Sequence, residues 1–139
     1  MARQALPGAK PEEYTPLWEA VLFERFQLVT EEYRGTVHLV LTGEFDAKAC
    51  ERFREESMTL DKRPAVVDLR DVSFMDSAAV RELLTLKGAL GDDRLKIVRP
   101  RGYAATIFEV TGLGEHLPLV DDPADAPAVG AAASRGTSA

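Results

Sequence analysis

The sequence predicts an α/β fold, a mostly parallel sheet of four to five strands with helices packed on it. Three observations lead there. Strand-like and helix-like segments alternate from about residue 26 to residue 120, and parallel strands need helical crossovers of this kind. The run Ala65-Val66-Val67-Asp68-Leu69 is almost continuously apolar, which marks a strand covered on both faces. Asp, Ser, Gly and Pro stand where one element should give way to the next.

The elements follow in order. Met1 to Tyr14 is rich in Pro, Gly and charge, and a mobile leader is expected. Thr15-Pro16 has the chemistry of a helix start, with Thr15 as N-cap and Pro16 at the first helical position. Leu17, Trp18, Val21 and Leu22 then share a helical face, so an extra N-terminal helix is expected within an extension of residues 1–24. Its apolar face must be covered, by the same domain or by a second copy in a homodimer. Phe26 to Tyr33 reads as a strand, Arg34-Gly35 as a hairpin turn, and Thr36 to Thr42 as a second strand with Val37, Leu39 and Leu41 on one face. Asp46 caps a helix that shows Ala49, Cys50 and Phe53 at helical spacing. Asp61 to Pro64 breaks the chain before the Ala65–Leu69 strand, and Arg70 to Met75 reads as a loop.

A second helix starts at Asp76 or Ser77 and runs to Leu90, with Val80, Leu83, Leu84 and Leu90 as its inner stripe and Gly91 ending it. Leu95 to Val98 is the next strand. Tyr103, Ala104, Ile107 and Phe108 mark a third helix, stopped by Gly112. Leu119-Val120 makes a short edge strand. Asp122-Pro123 could start one more helix, which Pro127 would break. The tail 127–139 is low in complexity and expected to be disordered. The domain proper is thus expected over residues 25–126.

Composition narrows the function. The 139 residues are 45% hydrophobic and 29% charged, ordinary for one globular domain with its own core. Cys50 is the only cysteine and only two histidines exist, so no disulfide forms within the chain and a cysteine-based zinc site is close to excluded. The net charge of −6 and pI near 5.0 argue against nucleic acid. The one basic cluster, Arg94, Lys96, Arg99 and Arg101, reads as a solvated strand face and its exit loop. Met1 to Lys10 lacks the apolar core of a signal peptide, and no apolar run approaches a membrane span. A cytoplasmic protein is expected.

The glycines form no Walker A or dinucleotide pattern, so no cofactor is indicated. In open α/β sheets, ligands gather at the carboxyl ends of the strands. Two segments here leave a strand to enter a helix there, Gly43-Glu44-Phe45-Asp46 and Ser73-Phe74-Met75-Asp76-Ser77. If the strands are parallel, Asp46, Asp76 and Ser77 share one edge. Ser77 reads as a cap or first-turn residue. It is also chemically suited to carry a phosphate. Ala78 and Ala79 leave its hydroxyl accessible, and a helix start tolerates an anion.

These residues resemble a known family. Asp68-Leu69-Arg70-Asp71-Val72-Ser73-Phe74-Met75-Asp76-Ser77-Ala78-Ala79-Val80 is similar to the signature of STAS domains, the anti-sigma factor antagonists. Leu41-Thr42-Gly43-Glu44-Phe45-Asp46 is similar to their second-strand motif, and Thr111-Gly112-Leu113 followed by Leu117-Pro118-Leu119 to their C-terminal segment. The resemblance implies a non-enzymatic partner switch. It makes Ser77 the serine phosphorylated by an anti-sigma factor with serine kinase activity, and a serine phosphatase the enzyme that restores binding. It places Asp46, Asp76, Ser77, Ala78 and Arg81 on the partner-binding edge. The chain departs from the pattern at Ala79, where the family usually has Gly.

Other functions fit less well. A serine hydrolase needs a base, and only His38 and His116 exist. His38 alternates with Val37 and Leu39 and is expected to face solvent, and no G-x-S-x-G elbow surrounds Ser77. A phosphoaspartate receiver built on Asp68 needs an acidic pair for Mg²⁺. Glu31-Glu32 lies within a strand, where neighbours point to opposite faces. An unphosphorylated scaffold of the same fold remains the alternative.

Overall fold

The computed structural model describes Thr15–Pro16, Val21–Phe23 and residues 25–121. The leader 1–14, Leu17, Trp18 and the tail 127–139 therefore lie outside the described residues, as does the Asp122-Pro123 helix start. Thr15–Pro16 (β1) and Val21–Phe23 (β2) are strands, not the expected helix. Both pair antiparallel with Phe26–Tyr33 (β3), Thr15 opposite Glu32 and Val21 opposite Leu28. The apolar spacing that suggested a helix is overridden by an open strand edge, whose backbone groups need partners. Pro is tolerated at such an edge.

β3 turns into Thr36–Phe45 (β4) through Arg34 and Gly35, both with positive φ, 52° and 85°. That turn type matches the twist of the flanking strands and sets their register, Tyr33 opposite Thr36 and Phe26 opposite Gly43. From β4 onward the sheet is parallel. Ala65–Met75 (β5) lies beside β4, Leu95–Val98 (β6) beside β5, and Leu119–Val120 (β7) beside β6. The path across the sheet is β1-β3-β4-β5-β6-β7, with β2 also on β3.

The expected loop Arg70–Met75 is strand. β5 keeps pairing with the long β4 through Asp71–Thr42 and Met75–Phe45, with two register shifts on the way. Val72 and Met75 are buried, while Asp71 and Ser73 face out. Those outward polar residues gave the segment its loop-like appearance.

Three helices, Ala47–Met58 (α1), Ser77–Leu90 (α2) and Gly102–Thr111 (α3), join one core with the sheet. Phe45 sits between Phe26 and Phe53, ring centroids 5.7 and 5.2 Å away. The inner stripe of α2 is Ala79, Val80, Glu82, Leu83 and Leu86, whereas Leu84 and Leu90 are only partly buried. Glu82 is tolerated inside because the Arg54 guanidinium reaches it from α1, with Nη2 2.8 Å from Oε1.

The second face of the sheet is covered as well. Val66, Val98 and Val120 cluster there. His38 is 2% exposed, its ring edge-on to Tyr33 at 6.2 Å, not in solvent as alternation suggested. Alternation identifies which residues share a face, but not whether that face is wet. Among the described residues no helix is long and apolar enough to cross a membrane.

Candidate docking site at the carboxyl edge of the sheet

Because β4 and β5 are parallel, both run out on one edge, and each hands over to a helix through an aspartate. Asp46 and Asp76 adopt the extended backbone that N-caps use, with φ −106° and −116°. Asp46 Oδ1 accepts from the Ala49 N–H at 2.9 Å, and Asp76 Oδ1 from the Ala79 N–H at 3.0 Å. Asp76 Oδ2 also accepts from the Ala47 N–H at 3.1 Å. One carboxylate therefore fixes the starts of α1 and α2 against each other.

Gly43 makes the approach possible. Its φ is +96°, and a Cβ there would lie 2.1 Å from the Arg25 carbonyl oxygen. That same oxygen accepts from the Glu44 N–H at 2.7 Å. Only a glycine lets β4 pass this close to Arg25.

Ser77 is the first residue of α2 and is exposed. Ala78 is half-buried and packs on the core, and the Ala79 methyl is fully buried within it. Arg81, one turn further along α2, is exposed. The edge thus brings Asp46, Asp76, Ser77 and Ala78 to two adjoining helix starts, with Arg81 above them on α2.

The electrostatics of this corner are negative. Cys50, on the buried face of α1, has its thiol pushed up to about 12 by burial first and then by the Asp76, Glu82 and Asp46 carboxylates. Further out, Glu44 pairs with Arg25 at 3.6 Å and Asp71 with Arg101 at 3.4 Å. The basic cluster is spread out: Arg94 donates to the Lys62 carbonyl, and Arg99 pairs with Asp121.

Sequence reasoning missed one feature of the edge. Phe74, at the end of β5, stacks on Tyr103, at the start of α3, with centroids 6.0 Å apart and planes 14° from parallel. Tyr103 is 60% exposed. Phe74 has the parity of the buried Val72, and the register shift between Gly43 and Glu44 separates the two, which no sequence signal reports.

The other candidate chemistries find different surroundings. His38 alternates with core residues Val37 and Leu39 and so faces away from the helices. Asp68 is buried and gripped by Arg70, Nη2 to Oδ2 2.9 Å and Nε to Oδ1 3.1 Å. Among the described residues no group of three or more His, Cys, Asp or Glu side chains could hold a metal.

The family model described as "Mlab, STAS domain" matches residues 29–121. The chain belongs to the STAS domain family. Two solved structures share the fold. An anti-sigma factor antagonist from Mycobacterium paratuberculosis is 24% identical, with a TM-score of 0.67 over 76% of this chain and 93% of its own. The anti-sigma factor antagonist SpoIIAA in its unphosphorylated form is also 24% identical, with a TM-score of 0.56 over 81% of this chain and 97% of its own. No curated protein matches the chain. In this STAS domain the motif Asp68–Val80 comprises the second half of β5, the Asp76 cap and the first turn of α2.

Proposed function

We propose that this STAS domain is an anti-sigma factor antagonist in a partner-switching pathway. It binds an anti-sigma factor with serine kinase activity through the edge that carries Asp46, Asp76, Ser77, Ala78 and Arg81. Ser77 Oγ attacks the γ-phosphorus of the kinase's ATP, ADP leaves, and the hydroxyl proton passes to the kinase. A serine phosphatase then returns the hydroxyl by hydrolysis. The observation that carries this reading is the position of Ser77: an exposed hydroxyl on the first residue of a helix, beside two capping carboxylates.

The switch follows from two opposed energies. A phosphoserine brings about −1.5 to −2 charges at neutral pH. At a helix start that charge stabilises the fold by ~0.3–1 kcal/mol. In an interface closing over the same patch, unmatched like charge costs several kcal/mol, and about 3 kcal/mol is already more than a hundredfold in affinity. The interface effect is larger, so modification leaves the fold intact and ends the binding.

The test is phosphoryl transfer from serine-kinase anti-sigma factors of the source cell to wild type and to Ser77→Ala. Transfer to wild type alone supports the reading. Stable binding with no transfer would point instead to an unphosphorylated scaffold, for which the exposed Tyr103, stacked on the half-buried Phe74, offers an aromatic contact.

A further inference from the structure

We propose that Arg81 is the receptor for the phosphoryl group on Ser77, so that modification takes a cation out of the docking surface as well as adding an anion to it. The inference rests on Ser77 being the phosphoacceptor.

Ser77 and Arg81 stand four residues apart on α2, and both are exposed. Residues at this spacing are surface neighbours on a helix, with Cβ atoms about 5–6 Å apart. Helical side chains lean toward the N-terminus, so the Arg81 side chain is directed back over the turn that begins with Ser77.

The Arg81 guanidinium is also uncommitted. Among the described residues it has no ion pair or hydrogen bond, and only the Arg81 carbonyl is engaged, by the Thr85 hydroxyl. Other arginines of the chain are committed: Arg25 to Glu44, Arg54 to Glu82, Arg70 to Asp68 and Arg101 to Asp71.

Asp76 takes most of the nearby backbone donors and leaves the phosphate the Ser77 and Ala78 N–H groups of the first turn. The Ala79 N–H is taken by Asp76 Oδ1, the Ala47 N–H by Asp76 Oδ2, and the Val80 N–H by the Asp76 carbonyl at 3.3 Å. The anions that face the modified side chain are Asp46 and Asp76, which repel it. The first cations along the two helices are Arg81 on its own helix and Lys48 on α1, both exposed. A guanidinium fork matches phosphate oxygens better than an ammonium does, and only Arg81 has the fixed four-residue spacing.

Two states of the edge follow. Without phosphate, Arg81 is available to an acidic group of the partner. With phosphate, it is engaged within α2. The partner then meets a filled site where it had found a free guanidinium and a neutral hydroxyl.

The test installs phosphoserine at position 77 during synthesis of the full chain, which needs no kinase. Its second ionisation is then followed by ³¹P NMR in the wild-type, Arg81→Gln, Arg81→Lys and Lys48→Gln backgrounds. The expected result is a second pKa lower by a few tenths of a pH unit in wild type than in Arg81→Gln, with Arg81→Lys between them and Lys48→Gln close to wild type. A value that does not change on Arg81→Gln, or that follows Lys48 instead, overturns the proposal. Such an outcome removes the receptor role alone, whereas the absence of phosphoryl transfer to wild type removes the reading beneath it.

Discussion

Asp76 holds Ala47 in place across the two helix starts: its Oδ2 accepts from the Ala47 N–H at 3.1 Å while its Oδ1 caps α2 at Ala79. Asp46 caps only its own helix. The two aspartates look alike in sequence, yet they carry different loads. Loss of an ordinary cap costs about 1 kcal/mol, and a further net hydrogen bond about 0.5–1 kcal/mol. Urea denaturation should therefore rank Asp76→Ala, near 2 kcal/mol, above Asp46→Ala, near 1 kcal/mol. Equal losses would mean that the bond to Ala47 contributes nothing.

Gly43 is the backbone position least open to change. A methyl group there meets the Arg25 carbonyl oxygen at 2.1 Å, and the φ of +96° is strained for any L side chain. Gly43→Ala should cost about 2–3 kcal/mol or more, seen as a lower urea midpoint. Gly35→Ala, with open space around the added Cβ, should cost clearly less, despite its positive φ.

Asp68, buried, and Arg70, half-buried, form an ion pair on the second face of the sheet, with side chains 7% and 17% exposed. Removing the Arg70 guanidinium leaves the Asp68 carboxylate, of its bonds to Arg70, only the backbone N–H at 3.1 Å. Arg70→Met should destabilise by about 3 kcal/mol, and Asp68→Asn with Arg70→Met should recover much of that loss. A double-mutant cycle in urea measures the coupling. Additive losses would show that the pair is not coupled.

Cys50 sets an alkaline limit. Burial raises its thiol from 9.0 to about 12 in the folded state, so the folded chain holds the proton that the unfolded chain releases. The stabilisation tied to the neutral thiol is complete below about pH 9 and is lost as pH rises from about 9 toward 12. Stability measured against pH should fall over that window in wild type and fall less steeply in Cys50→Ala. Identical slopes would show that the thiol does not contribute.

What could be read from the sequence follows from how local each signal is. The caps Asp46 and Asp76 were legible because capping chemistry lies within a few residues of the helix it serves. The parallel order was legible from the Ala65–Leu69 run and its flanking helices. The Asp76–Ala47 bond and the Phe74–Tyr103 stack were not, since no periodicity reports which distant elements meet. Arg70, Asp71 and Ser73 are polar and read as a loop, although β4 pairs with that stretch of β5. Thr15-Pro16 has helix-start chemistry, and Val21 and Leu22 share a helical spacing with Leu17 and Trp18, but Thr15–Pro16 and Val21–Phe23 pair with the open edge of β3. His38 is buried although it alternates with core residues, because alternation does not reveal whether a sheet is covered on one face or two.

Titration calorimetry with the kinase that modifies this chain, run on full-length wild type and Ser77→Asp with melting curves on both, tests the switch most directly. The account predicts a loss of affinity approaching or exceeding a hundredfold with a nearly unchanged melting temperature. Undiminished affinity accompanied by a large drop in melting temperature would contradict it.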